Sequence, residues 1–287
     1  MTTQELTREF LENYCKDRLR VTTVRGYTVN IEKHLNPELG DVDIALLSTE
    51  DLDELTGILR EKGLSDRSIV YVHATFRKAL NYAKRRQYLL ENVYDRWDMP
   101  RSKDYCYRIL NEQQIRQMLS NADGRSYIDI AIRLALRYGL RRGEILGIIP
   151  HLDLDTKSRT LHIQRSRTVE FGVDAVTPCK TKQSNRYILL LEEDCAALAH
   201  SWNNRSYAVP LTPSQLNKRF RAFLLIGGFP EIRFHDLRHS YATLMLSKGV
   251  NPKIVSSILG HSGVGITLDI YSHPDVAMQN VCLEVLP

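Results

Sequence analysis

The chain has 287 residues, 43% hydrophobic and 25% charged, with 15 Gly and 10 Pro, a globular profile that excludes fibrous, collagenous and disordered classes. Its net charge is +5, and because the first 103 residues are charge-neutral the basic excess lies beyond them, which is compatible with a polyanionic partner without establishing one. No apolar run approaches the length of a membrane helix, the polar start MTTQELTREF is no secretory signal, and five scattered cysteines without a CxxC pair read as reduced thiols, so a cytoplasmic location is expected.

A chain of this length divides into about two domains. In the first hundred residues apolar side chains recur at helical spacing: Leu6, Phe10, Leu11 and Tyr14; Val24, Tyr27, Ile31 and Leu35; Leu52, Leu55, Ile58 and Leu59; Ile69, Val72, Phe76, Leu80 and Tyr82. Four helices are predicted. Thr22 or Thr23, Ser48 and Ser65 are the expected N-caps, because a side-chain oxygen there can accept from a free N–H of the first turn. The stretch NVYDRWDMPRSKD loses this periodicity and reads as a connection, so the expected layout is a helical domain at 1–95, a linker at 96–104 and a second domain at 105–287. There, Ile115, Met118 and Leu119, then Ile128 to Leu140, resume helical spacing, with a stop at Gly139 and a restart in RRGEILGI. Between about 151 and 192 the pattern turns to strands: RTLHIQRS alternates, TVEFGVDAV follows, and NRYILLL returns after the polar turn KTKQS. An extended hairpin is expected over roughly Arg165 to Pro178, and helices return after Pro213. The predicted fold class is mainly α with a small antiparallel sheet, a helical domain followed by an α+β domain.

Four stations in the second domain could carry chemistry. In YGLRRGEILGI, Arg141 and Arg142 stand where one helix ends and another begins, and Glu144 is near enough to orient a guanidinium; alone, they also read as surface charges. RFHDLRHSYATLML puts His235, Arg238 and His239 on one helix face. The Arg238 fork suits the non-bridging oxygens of a phosphate, and His235 can donate to the same group. The paired histidines also have a metal-ligand spacing, but the first lacks the following Glu of a zinc-protease motif and Arg238 would repel a cation, so no metal site is expected. LGHSGVGITLDIYSH holds His261 and Tyr271, whose hydroxyl is a poor nucleophile unless cations or donors stabilise the phenolate. One tyrosine among 14 is otherwise a packing residue. The turn CKTKQSNR carries Lys180 and Lys182, each able to reach a phosphate or, with a lowered pKa, to give up a proton; a solvated turn is the plain alternative.

In order along the chain, Arg141 in GLRRGE, Lys180 in a β-hairpin, HDLRH at 235–239, LGH at 259–261 and Tyr271 near the C-terminus resemble the tyrosine recombinases, the phage-integrase family, from about residue 104 to the end. TVRGYTVNIEKHLNPELGDVDIALLSTEDL and GLSDRSIVYVHATFRKALNYA resemble the core-binding, SAM-like DNA-binding domain of integrases from phages and conjugative transposons, rather than that of the Xer chromosome-dimer resolvases. The resemblance implies a site-specific recombinase that integrates or excises a mobile element, cutting and rejoining DNA through a 3′-phosphotyrosyl intermediate without ATP. It implies Tyr271 as nucleophile, Arg141 and Arg238 as clamps on the non-bridging oxygens, and Lys180 as the acid that protonates the leaving 5′-oxygen. His235 would act as acid/base and donor, His261 as a further donor to the phosphate, and Glu144 as the group that orients Arg141. Lys182 and Arg142 compete with Lys180 and Arg141 by proximity, and the motif prefers the latter pair. No cofactor or metal is implied.

The implied partners are double-stranded DNA carrying recombination sites, three further copies of the chain in a homotetramer built by exchange of the C-terminal tail PDVAMQNVCLEVLP, and a DNA-bending accessory protein. A tail folded onto its own core is the alternative. Thr23, Arg25, Arg67, Ser68, Arg77, Lys78, Lys84, Arg85 and Arg86, with Lys182, are the candidate DNA contacts, mostly to phosphate. Integrases of this group often carry an arm-binding domain ahead of the core-binding one, and the chain opens on the latter. Two rivals stand beside this reading. A type IB topoisomerase would share the phosphotyrosine chemistry, but the core-binding resemblance and HDLRH argue against it. A non-catalytic DNA-binding protein of the same fold is disfavoured by the complete residue set.

Overall fold

Residues 1–101, 108–170, 173–179, 182–200 and 206–269 are described by the computed structural model, and the chain divides into two units, Met1–Tyr105 and Cys106–Pro287. Four helical segments build the first. α1 starts as Thr3–Phe10 and runs on through a π-helical turn, Leu11–Cys15, into Lys16–Arg18. α2 does the same over Val21–Asn30, Ile31–Leu35 and Asn36–Leu39, while α3 (Thr49–Glu61) and α4 (Asp66–Arg85) are regular. The predicted apolar positions, Ile58 excepted, form one core, with Leu6, Phe10, Leu35, Leu52, Leu59, Phe76 and Leu80 fully buried. Ser48 and Ser65 cap α3 and α4 by accepting from the N–H groups of Asp51 and Ser68. Thr22 and Thr23 are not caps: α2 begins at Val21 behind Arg20 with no side-chain cap, so both threonines fall inside its first turn. Packing continues past α4, where Val93 and Tyr94 are buried and Trp97 and Met99 rest on the same core.

The polar interior of this unit is neutral. His73, with no exposed surface, meets Thr56 Oγ1 through Nε2 at 2.9 Å and the Tyr94 hydroxyl through Nδ1 at 2.8 Å. Thr56 already donates its one hydroxyl proton to the Leu52 carbonyl, so Nε2 carries the imidazole proton and Nδ1 accepts from Tyr94. Burial pushes the His73 pKa down to about 4, which keeps this three-residue network uncharged at neutral pH.

In the second unit α5 (Glu112–Asn121) leads to α6 (Tyr127–Tyr138). From Ile130 to Leu136 every residue of α6 is buried, the mark of a helix enclosed on all sides. After α7 (Arg142–Leu146) and α8 (Pro150–Asp153) come β1 (Leu154–Asp155), β2 (Thr160–Ile163), β3 (Arg165–Glu170), β4 (Val173–Pro178) and β5 (Arg186–Leu189). α9 (Glu192–His200), α10 (Pro213–Gly227), α11 (Phe234–Ser247), α12 (Pro252–Leu259) and α13 (Val264–Asp269) complete it.

The strands form two antiparallel groups where one sheet was expected, β1-β2-β5 and the hairpin β3-β4. RTLHIQRS is therefore cut at Gln164: the side chains of Gln164 and Arg165 both reach the buried Asp153 carboxylate, at 2.7 and 2.6 Å, and hold the chain as it passes from one group to the other. The hairpin pairs Arg165 with Pro178 and Glu170 with Val173, as expected. The segment containing Lys180 is flanked by β4 and β5, which pair with β3 and β2 and not with each other, so it connects two sheets and does not close a hairpin. Lys180 itself, the side chain of Lys182, Tyr271 and the tail beyond it lie outside the described residues.

Candidate functional site

Two helices of the second unit stop on glycines that aim their last carbonyls at one place. α6 ends at Gly139 (φ 62°), where a Cβ would stand 2.4 Å from Leu259 Cδ2. α12 ends at Gly260 (φ 66°), where a Cβ would stand 2.8 Å from Arg186 Nη1. Only glycine suits a left-handed backbone in so little space. Terminal helix carbonyls lack partners within the helix and carry partial negative charge, and here arginines take them. Arg238, on α11, donates to the Gly139 carbonyl at 2.6 Å and the Leu259 carbonyl at 2.9 Å. Arg141 donates to the Gly260 carbonyl at 2.9 Å, and Arg186, on β5, donates to the Ile258 carbonyl.

Glu144 stands among these cations. As the third residue of α7 it accepts from the Arg141 backbone N–H at 2.9 Å and from Arg141 Nη1 at 2.8 Å. From its other side Arg186 donates through Nη1 at 3.1 Å and Nη2 at 3.0 Å. Burial works to raise the Glu144 pKa, but Arg186 and Arg141 outweigh it and hold the carboxyl below its ordinary value. Burial, with Arg141 alongside, lowers Arg238 to about 9, which leaves it cationic at neutral pH. Arg141 and Arg186 share the Glu144 carboxylate and Arg238 lies within its field, so three guanidiniums face one carboxylate, a surplus of two positive charges. Arg186 and Arg238 are buried, whereas the Arg141 side chain is 34% exposed and opens the cluster to solvent.

Three histidines border the cluster. The His235 ring meets His239 edge-on at 4.9 Å between centroids. Desolvation, followed by the neighbouring Arg238, lowers the pKa of His235, and burial followed by His235 lowers His239 to about 4. His261 Nδ1 lies 2.8 Å from Thr267 Oγ1, and burial together with Arg238 and Arg141 brings its pKa down to about 4. At neutral pH the rings are uncharged and able to accept or donate a proton. Among the described residues no group of three or more His, Cys, Asp or Glu side chains could hold a metal ion.

The structure brings together Arg141, Glu144, His235, Arg238 and His261 of the predicted set. Arg142 points elsewhere, donating to Asn217 at 3.3 Å. Arg186 escaped the sequence reading. The available signal is strand alternation: Arg186 shares the buried face of β5 with Ile188, and an arginine buried on a strand demands a carboxylate.

The first-unit candidates fall on two sides of α4. Arg77 and Lys84 both face Asp95, at 3.7 and 3.3 Å, which offsets their charge. One residue along the helix, Lys78 donates to the Tyr27 hydroxyl at 2.6 Å, and Arg85 lies 5.1 Å from the Tyr14 ring centroid. Exposed Arg18 covers the same ring at 5.0 Å, and Asn13, Tyr14, Arg18, Tyr82, Arg85 and Arg86 line one shallow pocket. Arg86 also stands 3.9 Å from Glu9. Arg25, Arg67 and Ser68 are exposed and Thr23 half-buried.

Residues 108–278 match the model of the phage integrase family, and residues 2–56 match the N-terminal SAM-like domain of phage integrases. The ICEBs1 integrase of Bacillus subtilis (strain 168) is 25% identical over 266 residues, covering 85% of this chain and 71% of that protein. Tyrosine recombinase XerC of Alcanivorax borkumensis is 27% identical over 285 residues, covering 95% and 90%, so identity alone does not separate the integrase and Xer branches. In fold the chain is similar to the integrase of transposon Tn1549 solved with transposon right-end DNA, with a TM-score of 0.85 and 21% identity, over 100% of this chain and 99% of that one. The chain belongs to the phage integrase family and is a site-specific recombinase of the tyrosine type.

Proposed function

We propose that this recombinase moves a mobile element into or out of DNA with Tyr271 as nucleophile and the Arg141–Arg238 pair as its phosphate clamp. The observation that supports this most directly is the surplus of two positive charges around Glu144, because a phosphodiester under attack accumulates negative charge on its non-bridging oxygens. Arg141 and Arg238 are already anchored on helix-terminal carbonyls, so they need little reorganisation as that charge develops. The Tyr271 oxygen bonds to phosphorus as the bond to the 5′-oxygen breaks. The tyrosine proton passes to neutral His235, and Lys180 protonates the leaving oxygen. With Thr267 as the donor to His261 Nδ1, 2.8 Å away, Nε2–H is left to bond the phosphate. A 5′-hydroxyl from a partner strand reverses these steps, and since the phosphotyrosyl ester conserves the bond energy, no ATP is consumed.

The related Tn1549 integrase is described with a circular intermediate DNA, and lambda integrase as a tetramer on a Holliday junction. Double-stranded recombination sites and a tetramer formed through the tail are the corresponding partners here, with a DNA-bending accessory protein, no cofactor, and a cytoplasmic, nucleoid-bound location. Strand exchange between two copies of the DNA flanking the element, read as circular product, tests the reading; tight binding without exchange favours the non-catalytic alternative. A 5′-sulfur leaving group, which needs no acid, should rescue Lys180→Ala and leave Lys182→Ala unaffected; rescue of Lys182→Ala alone would reassign the acid. Removing residues 274–287 should abolish multimers on DNA while single-site binding survives.

A further inference from the structure

Arg186 has no part in the roles above, yet Nε, Nη1 and Nη2 all hold partners. Its side chain is 7% exposed, and besides Glu144 and the Ile258 carbonyl it donates to the Ser184 carbonyl at 3.0 Å. Its Nε and both Nη atoms are engaged by these partners, and at 7% exposure it is far less open to a ligand than Arg141 at 34%. Its importance lies in what Glu144 would do in its absence. A buried carboxylate shared by Arg141 alone would cancel the charge of the one arginine of the cluster that opens to solvent, and in a low-dielectric setting that cancellation is strong. With Arg186 on the inner edge of the carboxylate, Glu144 can orient Arg141 without neutralising it. The same guanidinium holds the end of α12 through Ile258, and it fills the space where a Cβ on Gly260 would stand. Gly260 in turn accepts from Arg141. Arg141, Glu144, Arg186 and the α12 terminus therefore close a ring of bonds.

We infer that Arg186 is a positioning residue that neutralises Glu144 from behind, leaving the charge of Arg141 free for the scissile phosphate. This rests on the reading of Arg141 as a phosphate clamp. The test compares Arg186→Met with the parent chain on a nicked duplex whose scissile group is either an ordinary phosphodiester or an uncharged methylphosphonate. Loss of one preorganised donor slows such chemistry by roughly 100-fold, and that is the expected loss on the diester, against less than about 3-fold on the methylphosphonate, where there is less charge to stabilise. Duplex affinity should change by less than about 3-fold, since binding rests on many phosphate contacts. Equal slowing of both substrates, or no slowing of either, overturns the inference. A parent chain that cleaves neither substrate overturns the clamp reading instead. The double variant Glu144→Gln with Arg186→Met removes the carboxylate along with its partner, and it carries the test if Arg186→Met alone does not melt cooperatively. Its cleavage of the diester should come within about 10-fold of the parent, and an undiminished 100-fold defect in the double variant contradicts the charge argument.

Discussion

The two units bury polar groups in opposite ways. Among the described residues, the buried polar side chains of the first unit are Thr3, Thr7, Asn30, Thr56, His73, Thr75 and Asn92, none of them charged at neutral pH. Those of the second include Arg133, Glu144, Asp153, Arg167, Arg186, Asp194, Asp236 and Arg238. Neutral groups need only a partner for each donor and acceptor, as in the His73 network, whereas a buried ion costs several kcal/mol and must be both paired and hydrogen-bonded. The second unit meets that cost with ion pairs such as Arg133–Asp194, at 2.5 Å, and Arg165–Asp153, at 2.6 Å. Among the described buried ion clusters, the positive charges are left in excess around Glu144. The first unit thus keeps a neutral polar interior, and the second accepts an expensive charged one, which the proposed phosphate clamp would use.

The contrast can be broken by substitution, and the largest effect should come from the excess charge itself. Arg238→Met should lower DNA cleavage by roughly 100- to 1,000-fold, the range for removing one preorganised donor, with binding of the uncleaved site nearly unchanged in a gel-shift titration. Glu144→Ala leaves Arg186 buried without its carboxylate and should destabilise the second unit by about 3–5 kcal/mol, the range for breaking a buried pair from one side, seen as a lower urea midpoint. No single exposed lysine in the first unit should approach that figure.

Acid should act on the first unit through His73. Its folded pKa of about 4 lies below the ordinary histidine value, so between pH 6.5 and 4 the unfolded chain takes up a proton that the folded one refuses. Stability from this group is complete above pH 6.5 and falls with decreasing pH by up to about 3 kcal/mol. The Trp97 ring lies 4.7 Å from His73, so urea unfolding followed by Trp97 fluorescence in a Trp202→Phe background reads it. His73→Gln should flatten that pH dependence. The smallest effect separates the two sides of α4: Arg85→Ala should reduce the salt dependence of DNA binding by about one unit, and Lys84→Ala by less, because Asp95 already offsets its charge. Equal slopes for the two variants would remove the distinction.

What was legible in the sequence was local. The spacing of Leu52, Leu55 and Leu59 announces a helix, Ser48 and Ser65 announce where helices start, and HDLRH places His235 and Arg238 on one face without any tertiary information. What stayed hidden depends on partners far along the chain. The break at Gln164 is enforced by Asp153, on the preceding helix α8. The burial of Arg186 is made tolerable by Glu144, 42 positions earlier. Arg77 and Lys84 look like free phosphate contacts until Asp95 folds back beside them. Thr22 and Thr23 resemble caps in composition, and only the backbone turn at Arg20 decides that the helix has already begun.

The most direct test of the central claim is a covalent trap. The full chain is incubated with nicked duplexes taken from the DNA flanking the element, without nucleotide, and resolved under detergent. The account predicts a detergent-resistant adduct of protein joined to the 3′-phosphate that is lost in Tyr271→Phe and strongly reduced in Arg238→Met. An adduct that persists in Tyr271→Phe, or tight binding with no adduct on any such DNA, would contradict it.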